Sequence, residues 1–137
     1  MNTQKITAKL KSFYPGRKVI VTDPLNPTEI ICEVELTEEH PKWSVAVAVI
    51  DSTRLHYHKR LTEIYHIMSG KLNMYLNGQL HQLQQGDIIK IPPNTRHYSI
   101  GNETIVYVYA TPGWAPEDHV LVIDKKEISR KKYDKRF

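Results

Sequence analysis

The chain has 137 residues, 40% hydrophobic and 25% charged, a size and balance that fit one globular domain and argue against a disordered or membrane-spanning class. The longest apolar run, Val45 to Ile50, is far too short to cross a bilayer, and Cys32 as the only cysteine excludes an intramolecular disulfide and a thiolate-rich metal site. The formal net charge of +4 is confined to residues 124–137, where seven Lys/Arg meet three acids; the preceding chain balances twelve against twelve, which argues for a solvated basic tail and against a nucleic-acid surface.

Met1-Asn2-Thr3-Gln4-Lys5 offers no apolar core or small-residue cleavage site, so a cytoplasmic protein is expected. Asn2 to Phe13 places Ile6, Leu10 and Phe13 at helical spacing, with Tyr14-Pro15-Gly16 as its end. Lys18 to Val21 and Ile30 to Leu36 read as strands around the Pro24 to Pro27 loop. In Trp43 to Ile50, Val45, Val47 and Val49 alternate with Ala46 and Ala48, the pattern of a strand packed on both faces. Glu63 to Met68 is β-rich, and Ser69-Gly70-Lys71 is a turn. Leu72, Met74 and Leu76 alternate with polar neighbours up to Asn77-Gly78, a strong hairpin signal, with Gln79 to Leu83 returning. Ile88 to Ile91 is a further strand before the corner Pro92-Pro93-Asn94. His97 to Ile100 and Thr104 to Ala110 then read as two strands separated by a turn at Gly101-Asn102. Many short strands with one helix predict an all-β antiparallel sandwich or barrel. The expected division is an N-terminal segment 1–17, a barrel domain 18–123 and a basic tail 124–137.

His56 and His58 stand at positions i and i+2, so they share a face only in an extended strand. The step from His58 to Glu63 is odd, so a turn through Lys59 to Thr62 is needed to bring the carboxylate back beside the imidazoles from a neighbouring strand. His97 follows the Pro92-Pro93-Asn94 corner and is a fourth candidate donor. Nitrogen and oxygen donors converging at about 2.0–2.2 Å are what a divalent ion requires.

These residues carry a resemblance. His56-x-His58, four residues, Glu63, six residues, Gly70 resemble the first motif of the cupin superfamily, and Gly86, five residues, Pro92-x-Asn94, two residues, His97 resemble the second, with fifteen residues between the motifs. Ile50 and Asn94 stand where the family pattern has glycines, and Gly101 where it has asparagine; none of these is a ligand. Asn94 is a mild departure because asparagine tolerates a left-handed backbone.

The resemblance implies a small antiparallel jelly-roll barrel, usually a homodimer, with one divalent transition metal ion (Fe, Mn, Ni, Cu or Zn) held by His56, His58, Glu63 and His97. Three imidazoles and one carboxylate would leave open coordination positions for a small-molecule substrate. By period two, Tyr65 and Ile67 share a face with Glu63, and Ser99 shares one with His97; Tyr65 is the candidate catalytic residue, although such tyrosines commonly only pack. Arg54 is a candidate for binding an anionic substrate at the pocket rim, or else a surface arginine at the barrel end. His66 falls out of phase with Glu63, while His40, His81 and His119 read as structural, and Trp114 as a cap on one barrel mouth or a dimer contact. The expected function is a metal-dependent enzyme acting on a small polar or anionic molecule, with dioxygenase chemistry preferred. Isomerase or lyase chemistry is the alternative within enzymes, and a non-catalytic metal-containing protein that holds a sugar or carboxylate is the alternative outside them. A third reading, a nucleic-acid or partner-binding protein, would act through the tail.

Overall fold

One α-helix and ten strands follow one another through residues 1–123, the part of the chain that the computed structural model describes. The basic run at 124–137 lies outside the described residues. Helix α1 spans Thr3–Phe13 and strand β1 Val19–Thr22. They are followed by β2 (Glu29–Glu35), β3 (Ser44–Ser52), β4 (His56–His58), β5 (Thr62–Ser69), β6 (Lys71–Leu76), β7 (Gln79–Gln84) and β8 (Ile88–Ile91). Strand β9 runs His97–Thr111, and a 3-10 turn at Pro116–Asp118 leads into β10, His119–Leu121.

Every pairing is antiparallel, and β9 organises the sheet. Its C-terminal half lies between β3 and β5, which extends one wall as β1-β2-β3-β9-β5-β8. Its N-terminal half lies between β4 and β6, which extends the other as β10-β4-β9-β6-β7. The sheet therefore curls about the middle of β9, giving the antiparallel jelly-roll fold with a short N-terminal helix.

The curl has a local cause. Sequence predicts a turn at Gly101-Asn102, but β9 is one continuous fifteen-residue strand there. Ile50 pairs with Thr104 and Ser52 with Ile100, so residues 101–103 bulge out of the ladder, with Glu103 at φ +46° and its N–H donating to Asp51 Oδ1 at 2.7 Å. A bulge kinks and twists a strand without ending it. The buried Thr104 hydroxyl donates to the Lys71 carbonyl at this corner. A Cβ on Gly101 would stand 2.5 Å from Thr104 Oγ1 and 2.9 Å from the Ile50 carbonyl oxygen.

The alternation in β2 and β3 separates two apolar clusters. Ala48 and Ile50 point inward to Tyr65, Ile67, Leu72, Met74, Ile91 and Val106. Val47 and Val49, with Ile30 and Cys32, point outward and are covered by Leu10, Ile6 and Tyr14. This is why the valine and alanine run is buried on both sides. Helix α1 supplies the cover: Asn2 caps it by accepting from the Lys5 N–H at 3.2 Å, and Leu10 is its buried residue. The Asn77-Gly78 hairpin has φ of +47° and +82°, both left-handed as a tight two-residue turn requires. Asn94 adopts φ +60°, as expected of the asparagine that stands in a glycine position.

Candidate metal centre

Four buried side chains meet where the two walls come together. His56 and His58 come from β4, His97 opens β9 directly opposite His56, and Glu63 comes from the start of β5. Their donor atoms all lie within 4.8 Å of one another. Strands β4 and β5 are not paired with each other. Glu63 therefore arrives from the other wall, carried across by residues 59–61, and not from a strand hydrogen-bonded beside the histidines.

The surroundings orient each ring. His56 Nδ1 lies 2.7 Å from the Arg54 carbonyl oxygen, and His97 Nδ1 lies 2.8 Å from that of Thr95. A carbonyl oxygen only accepts, so each Nδ1 carries a proton and Nε2 is the ring nitrogen left to face the centre. Glu63 Oε1 is 3.0 Å from His58 Nε2 and 3.2 Å from His97 Nε2. Two donors at right angles around one ion at about 2.1 Å stand about 3.0 Å apart, so these separations suit a shared cation.

His58 makes the fit specific. It is 3% exposed, and neither ring nitrogen has a well-aligned hydrogen-bond partner. An unpartnered buried imidazole costs free energy unless something else takes its lone pair, and a metal ion does so. Burial lowers the pKa of His56 to about 3, with the neighbouring His97 adding to it, so His56 stays neutral and able to ligate. Burial alone would raise the Glu63 carboxyl, but the imidazoles of His58 and His97 reverse this and hold it below the ordinary carboxylate range. One anionic and three imidazole donors are a set that first-row divalent ions accept.

Tyr65 faces inward two residues beyond Glu63, as the alternation predicts. Burial raises its phenol well above the ordinary value, and the carboxylates of Glu63 and Glu29 add to this, so it remains a protonated donor. The Arg54 side chain is exposed, while its carbonyl orients His56. Ser99 is fully buried beside His97, its N–H donating to Thr53 Oγ1 at 2.8 Å. His66 alternates away from the buried face of β5, and His81 lies on β7 opposite Met74. His40 stacks on Trp43 at 4.1 Å and lies 3.1 Å from Glu35. Glu39, beside them, is paired with Arg17 at 2.8 Å, which accounts for this surface group without an ion.

Three residues near the site escape the sequence reading. His119, read there as structural, stacks on His56 with ring centroids 4.4 Å apart and planes 13° apart. Trp114 lies edge-on to it at 6.1 Å. Asp118 is buried and bonded to the backbone between His58 and Glu63. Glu29 pairs in register with Ile50 and so shares the inward face. Burial raises its carboxyl to about 7, and the charge of Glu63 adds to this.

The description "Cupin domain" belongs to a family model that matches residues 43–110. An uncharacterised protein of Methanocaldococcus jannaschii is 35% identical over 83 residues, which cover 56% of this chain and 66% of that one. Quercetin 2,3-dioxygenase of Bacillus subtilis is 40% identical over 42 residues, 31% of this chain and 12% of the enzyme. Among solved structures, the nucleoside dehydratase Pac13 of Streptomyces superposes with a TM-score of 0.69 at 19% identity, covering 83% of this chain and 92% of that one. The polyketide cyclase RemF of Streptomyces resistomycificus gives 0.65 at 16% identity, covering 88% and 91%. Family match, shared fold and ligand cluster agree, and the chain belongs to the cupin superfamily.

Proposed function

We propose that this protein is a metal-dependent enzyme acting on a small polar or anionic molecule, with dioxygenase chemistry as the leading reaction class. The observation that carries the reading is the convergence of four buried donors, with His58 Nε2 3.0 Å from the Glu63 carboxylate but without a well-aligned hydrogen bond to it. A divalent ion held by His56, His58, Glu63 and His97 would supply Lewis acidity and, as Fe or Mn, redox chemistry towards dioxygen. The short similarity to quercetin 2,3-dioxygenase supports this class.

Tyr65 would donate a hydrogen bond or proton to substrate from a phenol that burial keeps protonated. Arg54, exposed beside the histidine strand, would attract an anionic group. Glu29, poised near neutrality on the same inner face, would accept or return a proton. Glu29 and Tyr65 together favour a second reading, in which proton transfers dominate and the enzyme is an isomerase or lyase. The fold shared with a dehydratase and a cyclase is compatible with it. We also infer a cytoplasmic homodimer with a barrel domain at 18–123. Among the described residues no helix is long and apolar enough to cross a membrane.

The test is the metal content of untagged protein purified without added metal, beside His58→Ala. About one Fe or Mn per chain, lost in the variant, with dioxygen consumed on small diols or carboxylates, supports the leading reading. Zn or Ni at that stoichiometry, without dioxygen consumption, favours the second. No stoichiometric metal after reconstitution overturns both.

A further inference from the structure

The three residues between β4 and β5, Lys59 to Leu61, leave one wall of the barrel and enter the other, so no sheet ladder holds them. Their backbone is held instead by one side chain from a distant part of the sequence. Asp118 is 3% exposed. Its Oδ1 accepts from the Lys59 N–H and the Arg60 N–H, both at 3.0 Å, and its Oδ2 accepts from the Leu61 N–H at 3.1 Å, with a longer contact of 3.3 Å to Arg60. The exposed Arg60 side chain adds only a loose ion pair, Nε to Oδ1 at 3.7 Å. Every backbone donor of the crossing thus ends on one carboxylate, and Leu61 beside it is 1% exposed.

The same short segment grips the other side of the ligand strand. Asp118 closes the 3-10 turn by donating its N–H to the Ala115 carbonyl at 3.0 Å. The next residue, His119, pairs with His58 across β10 and β4, and its ring covers that of His56. The turn and β10 therefore hold the two ends of the unit that delivers three of the four donors.

We propose that Asp118 is a positioning residue for the metal centre. It pins the wall-to-wall crossing so that Glu63 is held at its separation of 3.0 Å from His58. The inference rests on the metal-centre reading above. The physical reason is that β4 and β5 are not paired with each other, so the crossing is the direct chain link between His58 and Glu63, beside the indirect links through β9 and through the Asn94 N–H that donates to the His58 carbonyl at 2.7 Å. Three charge-assisted hydrogen bonds to successive N–H groups fix that backbone, whereas water in their place would let it shift. Loosening by about 1 Å is enough to spoil a constellation of donors, and outer partners of metal ligands typically contribute about 10–100-fold in affinity.

The experiment compares full-length wild type, Asp118→Asn and Arg60→Ala by Co²⁺ binding under chelator competition, by the visible absorption of the bound Co²⁺, and by thermal unfolding without metal. Asp118→Asn keeps the shape of the side chain but loses the charge and one acceptor. It is expected to weaken Co²⁺ binding about tenfold or more and to alter the absorption bands. Arg60→Ala keeps the backbone donors and is expected to bind as wild type does. Affinity and spectrum within twofold of wild type in Asp118→Asn would overturn the proposal, even with a lowered melting temperature, because that pattern marks a purely structural role. Should Asp118→Asn not fold, Asp118→Glu, which displaces the charge by one methylene, is read by the same criteria. If wild type itself binds no Co²⁺, the metal-centre reading fails first and this inference with it.

Discussion

The buried His58 and the half-buried Glu29 show how a single enclosed group links chemistry to stability. His58 is enclosed with Nδ1 unpartnered and Nε2 facing only the Glu63 carboxylate at 3.0 Å, an arrangement that a shared cation would complete. Glu29 is the opposite case, a carboxyl that burial raises to about 7 in the folded chain from an ordinary value of 4.5. Between those two values the folded protein binds a proton that the unfolded chain has released. Its contribution is therefore fully present below pH 4.5 and is lost as pH rises through about 7. Urea midpoints measured at pH 5 and pH 8 should fall with rising pH in wild type. Glu29→Gln should flatten that dependence by an amount on the order of 2 kcal/mol, allowing for the partial exposure of the group. An unchanged slope in the variant would mean that Glu29 titrates as an ordinary surface acid.

At the scale of elements, β9 explains how the barrel turns its corner. The bulge at residues 101–103 brings the backbone against Ile50 and Thr104, leaving no room for a Cβ at Gly101. Gly101→Ala should cost about 2–3 kcal/mol in a urea titration, because the obstructing atoms are a backbone carbonyl and a fully buried threonine. Gly78→Ala meets nothing within 4 Å and pays only for its φ of +82°, so about 1 kcal/mol is expected there. The contrast also shows why this corner was misread from sequence. Gly-Asn is a good turn signal, and nothing local distinguishes a turn from a bulge inside a continuing strand. The Asn77-Gly78 hairpin was legible because its backbone requirement is met within the dipeptide itself.

Over the whole molecule, the two apolar clusters separate stability from the site. Leu10 belongs to the outer cluster, formed where α1 covers β2 and β3, and is 6% exposed. Leu10→Ala should cost about 2–4 kcal/mol in urea while leaving metal stoichiometry unchanged. A metal ion that binds only the folded state should raise the melting temperature by about 5–10 °C at a hundredfold excess over its dissociation constant. A chelator should reverse that rise, and His58→Ala should abolish it; a variant that retains the full shift would remove His58 from the ligand set.

Most strands and the all-β class could be read from local signals, period-two alternation and glycines and asparagines placed at left-handed turns, and the four donors from the spacing of two cupin-like motifs; β10 and the continuity of β9 could not. Each signal is a property of a few adjacent residues, so it survives without knowledge of the rest of the chain. Asp118, His119 and Glu29 carry no such signal. Asp118 reaches its partners across 57 to 59 residues, and Glu29 faces the site because β2 pairs with β3 in one particular register. Those meetings depend on how β4, β9 and β10 align and on where the sheet bends. That alignment is set by long-range hydrogen bonding and the filling of two cores, so only the tertiary structure decides which carboxylate holds the crossing between His58 and Glu63 and which one lies on the inner face within reach of the Glu63 charge.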